Sequence, residues 1–263
     1  MYAAPVKNVT VAEVIALLDE QIAKEPGGAI AVDGDGTLWS GDVGEDLFEA
    51  LLEDGAVSAT AHEALVREAA AEKLDTSGGA VAVARRIHAG YLAGTFPEER
   101  VCEIMTWIFA GWMPAEADAF ADRVLVKVGL EARLHAETLE IVAWARARNV
   151  TTFLVSASPR NVVEQAARRV GIDHANVASA TEERDSKGFI TTSVVRPIPY
   201  GPGKVMHLRA KLGARPLYAA FGDNAFDVAM LREARIPVAI RPKPRLVERA
   251  SEVPGLLVLE RRV

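Results

Sequence analysis

Short apolar segments that alternate with helical ones constrain the fold of this chain more than any other feature. Four of these segments are AIAV (29–32), TTFLVSAS (151–158), LYAAFGD (217–223) and IPVAI (236–240). Their short length and apolar, partly β-branched composition are typical of strands that are buried on both faces. Because helical patterns lie between consecutive strands, we predict a parallel sheet with helices on both faces, a doubly wound α/β fold.

The chain between residues 45 and 130 has a different character. It is rich in alanine, carries leucine, valine and tryptophan at helical spacing, and contains about five helical segments but no convincing strand. We therefore expect an all-helical cap domain at 45–130, inserted into a core made of 1–44 and 131–263. Its aromatic side chains are expected to pack between helices, with a pocket lining as the alternative for some: Tyr91, Phe96, Trp107, Phe109 and Trp112.

Three predicted strands end in polar residues that are far apart in sequence. They are, in chain order, Asp33 with Asp35, Ser156 with Ser158, and Asp223 with Asn224. In open α/β sheets, ligands bind outside the carboxyl ends of the strands, so these groups should converge on one edge. The strand pattern by itself therefore predicts a shared binding site.

Aspartates that meet at one sheet edge repel one another unless a cation joins them. Mg²⁺ suits such a site, since it takes a few carboxylates and keeps water or substrate phosphate as its other ligands. A calcium loop beginning at Asp33 would instead need Asp or Asn, Gly and Glu at its fifth, sixth and twelfth positions. Those positions hold Thr37, Leu38 and Gly44, so the calcium loop is excluded.

A phosphate-binding set can be assembled at the same edge. Thr37 and Ser156 supply hydroxyls, and Lys204, near the start of a predicted helix, supplies a positive charge. A carboxylate that attacks a phosphate monoester faces strong repulsion, which Mg²⁺ and a lysine would offset. The pattern therefore indicates phosphoryl transfer at this edge of the sheet.

The composition narrows the expected partners and cellular location of the protein. The formal net charge of −6 and the lack of a long basic run disfavour a nucleic-acid partner. No apolar stretch approaches the roughly 20 residues of a membrane-spanning helix, and the first ten residues lack the apolar region of a signal peptide. We therefore expect a cytoplasmic protein without a membrane partner. Its single cysteine, Cys102, permits no intrachain disulfide.

Four short motifs occur in order along the chain. They are IAVDGDGTLW (30–39), FLVS (153–156), a lysine at 204 and GDNAFD (222–227). In these motifs the sequence resembles the haloacid dehalogenase (HAD) superfamily of aspartyl-phosphate hydrolases, subfamily IB, near the phosphoserine phosphatases. The resemblance covers nearly the whole chain. It implies a Rossmann-like α/β core with a helical C1-type cap inserted after the first motif.

The resemblance implies a role for each matching residue. Asp33 resembles the nucleophile that takes the phosphoryl group. Asp35 resembles the general acid that protonates the leaving group and later, as a base, activates water. The residues that would hold the phosphoryl oxygens are Thr37, Ser156, Ala157 and Lys204.

The resemblance also implies a Mg²⁺ site. Its ligands would be the Asp33 carboxylate, the backbone carbonyl of Asp35 and the Asp223 carboxylate. Asp227 and Asn224 would support this site by orienting either the lysine of the third motif or a metal-bound water.

Asp35 discriminates between the reactions of this superfamily. Dehalogenases lack an aspartate two residues after the nucleophile, and P-type ATPases carry threonine there, so the chain resembles a phosphatase or a phosphomutase. Phosphomutases of this superfamily usually carry a smaller kind of cap, which favours hydrolysis over transfer. A catalytically silent module that binds Mg²⁺ or a phosphometabolite is the remaining alternative.

Substrate recognition is expected to involve the cap and its surroundings. Asp42 and Glu45 begin the first cap helix, where acids either favour the helix N-terminus or bind a substrate amine. Arg85, Arg86 and Arg160 are candidates for binding a substrate carboxylate. A small phosphomonoester is predicted, with a phosphoserine-like metabolite as one candidate.

Two further short segments, SASPR and RPKPRL, are predicted to have structural roles. In SASPR (156–160), side chains replace the glycines that usually continue this motif in phosphoserine phosphatases, and Ser158 is predicted to cap the following helix. RPKPRL (241–246) is predicted to be a rigid surface connection.

Overall fold

The computed structural model of the protein describes residues 7–262 and contains nine strands within them. They are β1 (Lys7–Val9), β2 (Ala29–Val32), β3 (Thr151–Pro159), β4 (Val177–Ala180), β5 (Glu182–Arg184), β6 (Ile190–Val194), β7 (Leu217–Gly222), β8 (Ile236–Ile240) and β9 (Leu257–Leu259). Seven of them form a sheet in the order β1-β9-β8-β7-β2-β3-β4, and each neighbouring pair is parallel. The other two, β5 and β6, form an antiparallel hairpin.

The central strands are buried on both faces. Every residue of β2, β7 and β8 is buried. Because side chains alternate along a strand, Ile30 and Val32 of β2 pack into one hydrophobic cluster, and Ala29 and Ala31 pack into a second one on the opposite face.

The described part of the chain also forms twelve α-helices. They are α1 (Val11–Lys24), α2 (Val43–Glu53), α3 (His62–Ala71), α4 (Ala80–Leu92), α5 (Glu98–Trp107), α6 (Pro114–Lys127), α7 (Leu130–Arg133), α8 (Ala136–Ala147), α9 (Arg160–Arg169), α10 (Pro202–Leu212), α11 (Val228–Glu233) and α12 (Pro244–Glu248). The first cluster includes α1, α8 and α9, and the second includes α10 and α11. Helices therefore cover both faces of a parallel sheet, and the predicted doubly wound α/β fold is confirmed. None of the described helices combines the length and the apolar character that crossing a bilayer requires.

A helical segment separates β2 from β3. From Val43 to Lys127 the chain forms α2 to α6 and a short 3₁₀ turn, and it forms no strand. Phe109, Trp112 and Phe120 pack edge to face in this segment, with ring centroids 5.3 to 5.9 Å apart. The division of the chain into a core and a domain at 45–130 stays a prediction.

Ion pairs and backbone hydrogen bonds join the helical segment (residues 43–127) to the rest of the chain. Gly111 and Trp112 exchange backbone hydrogen bonds with Ile190 of β6, at 2.8 and 2.9 Å. The ion pairs on the side of α9 and the hairpin are Asp118 with Arg160, Asp122 with Arg169, and Glu103 with Arg196, at 3.2, 2.8 and 2.6 Å. Elsewhere, Asp46 pairs with Arg133 at 2.5 Å and Glu98 pairs with Arg245 at 3.6 Å. The segment is therefore fixed to the core on the side of α9 and the β5–β6 hairpin.

Candidate active site

A cavity of about 320 Å³ lies where the carboxyl ends of the central strands meet the helical segment. Asp33 follows β2, Ser156 lies near the end of β3 and Asp223 follows β7, and all three line this cavity. Of the other predicted phosphate-binding residues, Ala157 and Lys204 line the cavity as well. The parallel sheet thus brings residues from distant parts of the sequence to one edge.

The side chain of Lys204 lies between two buried carboxylates. Its Nζ is 2.5 Å from Oδ1 of Asp33 and 2.6 Å from Oδ1 of Asp227. The second Asp33 oxygen accepts a hydrogen bond from the buried Thr37 hydroxyl at 3.1 Å. Burial alone would lower the pKa of Lys204, but the charges of Asp227 and Asp33 outweigh burial and raise the pKa above its ordinary value. Lys204 is therefore a permanent cation beside Asp33.

The surroundings of Asp33 disfavour its negative charge. Burial, and then the Asp227 carboxylate, raise the pKa of Asp33 well above its usual range. Lys204 offsets only part of this effect, and Asp223 adds to it. An additional cation at this position would stabilise the charged form of Asp33.

Asp227 is held in place by the backbone that follows β7. Its Oδ2 accepts hydrogen bonds from the backbone N–H groups of Asp223 and Asn224, both at 3.0 Å. The Asn224 side chain accepts from the Ala225 N–H at 2.7 Å and so caps a short 3₁₀ turn. Of the two roles expected for Asp227, this geometry supports the orientation of Lys204.

Three carboxylates form a compact acidic cluster in the cavity. Oxygen atoms of Asp33, Asp223 and Asp227 lie within 4.8 Å of one another, and all three side chains are buried. Burial raises the pKa of Asp223 to about 6, with a contribution from the Asp227 charge. Buried oxygen donors with excess negative charge fit a hard divalent cation such as Mg²⁺. Asp33 and Asp223 belong to the predicted Mg²⁺ ligand set. An Asp227 carboxylate oxygen lies within the same 4.8 Å of both.

Gly36 permits the close packing beside this cluster. Its φ angle is +85°, a conformation that residues with a side chain rarely adopt. A Cβ atom at this position would lie 2.1 Å from Oδ2 of Asp223. Any side chain at residue 36 would therefore displace a carboxylate of the cluster.

The carboxylate of Asp35 has a separate set of partners. Its Oδ1 accepts hydrogen bonds from Trp39 Nε1–H and from the Val43 backbone N–H, each at 2.8 Å. Its Oδ2 accepts from Ser158 Oγ at 2.7 Å and, more weakly, from Ser156 Oγ at 3.4 Å. The first aspartate of the motif thus contacts a lysine, whereas the second is held by neutral donors.

Ser158 does not have the role that the sequence predicts. The residue at the N-cap of α9 is Pro159, and no side chain caps this helix. Instead, the Ser158 hydroxyl donates to Asp35 and the Ser158 N–H donates to Ser156 Oγ at 3.0 Å. The N-cap prediction was wrong because a carboxylate 123 residues away in sequence binds this hydroxyl.

Lys243 belongs to the site, although the sequence predicts only a surface connection there. Its Nζ is 2.9 Å from Oδ2 of Asp223, and its backbone N–H donates to the Asp223 carbonyl at 2.8 Å. Burial lowers the pKa of Lys243, but the Asp223 charge outweighs burial and raises it. The signal in the sequence was the position of Lys243 just after β8, a strand that ends at the same edge.

Further residues line the cavity from the helical side and from the loops. Tyr91 is the one aromatic side chain of the predicted helix-packing set that lines it. The rings of Tyr200 and Phe226 contact each other, with centroids 4.3 Å apart. The lining residues that sequence reasoning missed, besides Lys243, include Glu98, Cys102, Tyr200 and Phe226.

Asp42 and Glu45 lie both at the cavity and at the start of α2. Asp42 is the N-cap residue and accepts from the Glu45 N–H at 2.9 Å, while Glu45 accepts from the Tyr91 hydroxyl at 2.6 Å. Burial, followed by the charges of Asp35 and Glu45, raises the pKa of Asp42 well above its ordinary value. This end of the cavity therefore has an excess of negative charge.

None of the three candidate arginines reaches the cavity, so their predicted role in carboxylate binding does not fit the structure. Arg85 donates to the Leu52 carbonyl at 2.6 Å, and Arg86 donates to the Ser77 carbonyl at 2.5 Å. Arg160 is held by three carboxylates, those of Asp118, Glu164 and Glu182, at 3.2, 3.0 and 2.9 Å. Each guanidinium thus already has structural partners.

The buried pair of Glu182 and Arg160 leads to a stability prediction. Burial raises the pKa of Glu182, but the hydrogen bonds and charge of Arg160 outweigh burial and hold the pKa below its ordinary value. Replacing Glu182 with Gln should lower the free energy of unfolding at pH 7 by about 3 kcal/mol, since it leaves a buried charge less compensated. Because the folded pKa is depressed, this stabilisation is present above the unfolded pKa and is lost as the pH falls through the folded pKa.

Urea unfolding of the wild type and Glu182→Gln at pH 7 and at about pH 3 measures this difference. The exposed neighbour Glu183 provides a matched control, and Glu183→Gln should change the free energy by less than about 0.5 kcal/mol. Equal stability of wild type and Glu182→Gln at pH 7 would contradict the prediction.

Several solved structures share this fold over most of the chain. A Bordetella pertussis Tohama I protein of unknown function has a TM-score of 0.69 at 22% identity, covering 88% of this chain and 97% of that one. A functionally unknown protein from Anaerococcus prevotii DSM 20548 has a TM-score of 0.67 at 15% identity, covering 98% and 94%. A phosphoserine phosphatase with a phospho-aspartyl intermediate analogue has a TM-score of 0.54 at 16% identity, covering 89% and 94%. No curated protein matches the sequence.

A family model matches this chain directly. It describes the haloacid dehalogenase-like hydrolases and matches residues 30–232, well over half of the chain. The matched range contains all four sequence motifs, including the lysine that lies against the first aspartate. The chain therefore belongs to the haloacid dehalogenase-like hydrolase family.

Proposed function

We propose that this protein is a Mg²⁺-dependent phosphatase that hydrolyses a small phosphomonoester through an aspartyl-phosphate intermediate. The observation that carries this proposal is the different environment of two neighbouring aspartates. Asp33 lies against Lys204, whereas Asp35 lies among neutral donors. This chemistry needs a nucleophile beside a fixed cation and a separate proton donor. Membership in the hydrolase family and the fold shared with phosphoserine phosphatase support the same reaction.

In the first step, a carboxylate oxygen of Asp33 bonds to phosphorus while the bond between phosphorus and the leaving oxygen breaks. The proton on Asp35 moves to the leaving oxygen, which departs as an alcohol and leaves Asp35 as a carboxylate. Lys204 stabilises the negative charge on the phosphoryl oxygens from its position beside Asp33. Ser156 and Ala157 line the cavity at this point and would hold the same oxygens.

In the second step, Asp35 acts as a base. It takes a proton from a water molecule whose oxygen bonds to phosphorus as the bond between phosphorus and the Asp33 oxygen breaks. Inorganic phosphate leaves, and both aspartates return to their starting protonation states. One residue therefore serves as acid and then as base.

Mg²⁺ would be held by the Asp33 and Asp223 carboxylates and the Asp35 carbonyl, with Asp227 beside them. When bound, it supplies positive charge that offsets the repulsion between the nucleophile and the phosphate. The raised pKa values of Asp33 and Asp223 support this assignment, because both groups lack sufficient compensating charge from the chain.

The cavity lining favours a leaving group that is neutral or positively charged. Seven carboxylate residues and two lysines line it, and both lysines are paired with aspartates. No arginine of the described chain is among the lining residues. A carboxylate on the leaving group would be repelled there, whereas an ammonium group would be attracted. A small amino-alcohol phosphate therefore fits this cavity better than phosphoserine does.

Phosphate release from a panel of small phosphomonoesters tests the proposal. With Mg²⁺ we expect turnover of phosphoethanolamine with kcat/KM at least about tenfold above that for phosphoserine. EDTA should lower turnover by at least about 100-fold, and added Mg²⁺ should restore it. Transfer of labelled phosphate to a second alcohol would instead indicate a phosphomutase or phosphotransferase. Binding of esters without any turnover would indicate a silent binding module and would overturn the proposal.

A further inference from the structure

The contacts of Asp35 differ between its two carboxylate oxygens. Oδ1 accepts from two N–H groups, Trp39 Nε1–H and the Val43 backbone N–H, each at 2.8 Å. Indole and amide N–H groups can donate but cannot accept. Oδ1 is therefore held as an acceptor by two fixed donors, which sets the orientation of the Asp35 carboxyl group.

Oδ2 has a partner of a different kind. The Ser158 hydroxyl lies 2.7 Å from it and occupies one of its lone pairs, and Ser158 is only 8% exposed. The Ser156 hydroxyl lies farther from Oδ2, at 3.4 Å, so Ser158 is its close partner. In the proposed reaction, the Ser158 hydrogen bond stabilises the Asp35 carboxylate that forms when the leaving oxygen takes its proton.

We infer that Ser158 is a positioning residue for the acid–base aspartate, and that together with Trp39 and the Val43 N–H it fixes the orientation of the Asp35 carboxyl group at the cavity. This inference rests on the proposed phosphatase function. This role would explain the serine at position 158 of the SASPR segment (156–160), where phosphoserine phosphatases usually have glycine.

The backbone around Ser158 fits this role. Ser156 and Ser158 of β3 both contact Oδ2 of Asp35, at 3.4 and 2.7 Å, so their side chains point to the same side. A Cβ atom on Gly44, at the start of α2, would lie 2.9 Å from Ser158 Oγ, so the glycine leaves space for the hydroxyl. The Ser158 N–H donates to Ser156 Oγ at 3.0 Å, so the backbone of Ser158 also holds the neighbouring hydroxyl.

The dependence of kcat/KM on the leaving group distinguishes a positioning role of Ser158 from a merely structural one. An alkyl phosphate needs proton donation when its bond to phosphorus breaks, whereas a dinitrophenyl phosphate does not. Ser158→Ala should therefore lower kcat/KM about 30-fold for the alkyl ester and less than about threefold for the dinitrophenyl ester. The ratio kcat/KM is the appropriate quantity, because it includes only the steps up to bond cleavage.

Three further variants test the interpretation. Asp35→Asn should show the same leaving-group pattern with a larger loss, on the order of 10²-fold or more for the alkyl ester. Ser156→Ala should lower kcat/KM for both esters by similar factors, since it acts on the phosphoryl oxygens that they share. Ser193→Ala, which removes an exposed hydroxyl from β6, should change neither ester.

Trp39→Phe provides an independent variant if Ser158→Ala folds poorly in a circular dichroism melt. It removes the Nε1–H donor, keeps a ring in the buried position and should also impair the alkyl ester selectively. Equal losses for both esters in these variants, or no loss for the alkyl ester, would overturn the inference while leaving the phosphatase proposal intact. If the wild type hydrolyses neither ester with Mg²⁺, the phosphatase proposal fails, and the inference fails with it.

Discussion

Replacing Asp33 with asparagine is expected to abolish phosphate release, with a loss in kcat of at least about 10⁴-fold. The amide has nearly the shape of the carboxylate but cannot attack phosphorus. The fold should persist, because Lys204 keeps Asp227 at 2.6 Å. The raised pKa of Asp33 means that its ionisation destabilises the folded chain, so Asp33→Asn should change the free energy of unfolding by less than about 1 kcal/mol.

Steady-state phosphate release and the intact mass of acid-quenched enzyme measure this effect together. The wild type should show a phosphoryl adduct during turnover, and Asp33→Asn should show none. Asp54→Asn, at an exposed aspartate after α2, is a matched control that should keep both turnover and adduct. Wild-type turnover in Asp33→Asn would rule out Asp33 as the nucleophile.

Replacing Lys204 with methionine should impair both activity and stability. We expect kcat/KM to fall by about 10³-fold, because a fixed positive charge beside the phosphoryl group is lost. The free energy of unfolding in EDTA should fall by about 3 to 5 kcal/mol, since Asp33 and Asp227 lose the cation that lies between them. Mg²⁺ should then raise the melting temperature of Lys204→Met more than that of the wild type.

Calorimetric melts with and without Mg²⁺, together with phosphate-release kinetics, check these expectations. Lys187→Met removes a positive charge from an exposed position and should leave both properties unchanged. If Lys204→Met matches the wild type in stability and kcat/KM, then Lys204 is not the counter-ion of the cluster.

The fold could be predicted from the sequence because its signals are local. Each buried strand is a short apolar run. Because helices connect consecutive runs, the strands are expected to pair in parallel. Asp33 and Asp35 could be assigned to the site for the same reason, because a residue directly after a buried strand lies at the edge where ligands bind.

The contacts across the site could not be predicted from local signals. The position of Ser158 before a helix indicates an N-cap, yet its hydroxyl reaches Asp35 from another strand. Lys243 lies in a proline-containing connection, and only the adjacency of β7 and β8 brings it to Asp223. Arg85 and Arg86 satisfy neighbouring backbone carbonyls, which a count of charges in the sequence does not reveal.

The ion pairs that tie the helical segment to α9 and the hairpin bear on how far that segment can move. A rigid swing of the segment would separate three pairs at once, and Arg160, Arg169 and Glu103 are all largely shielded from water. Domain swings of this kind take microseconds to milliseconds even without such contacts to break. The tie to α9 and the hairpin therefore opposes a hinge motion of the helical segment on that side.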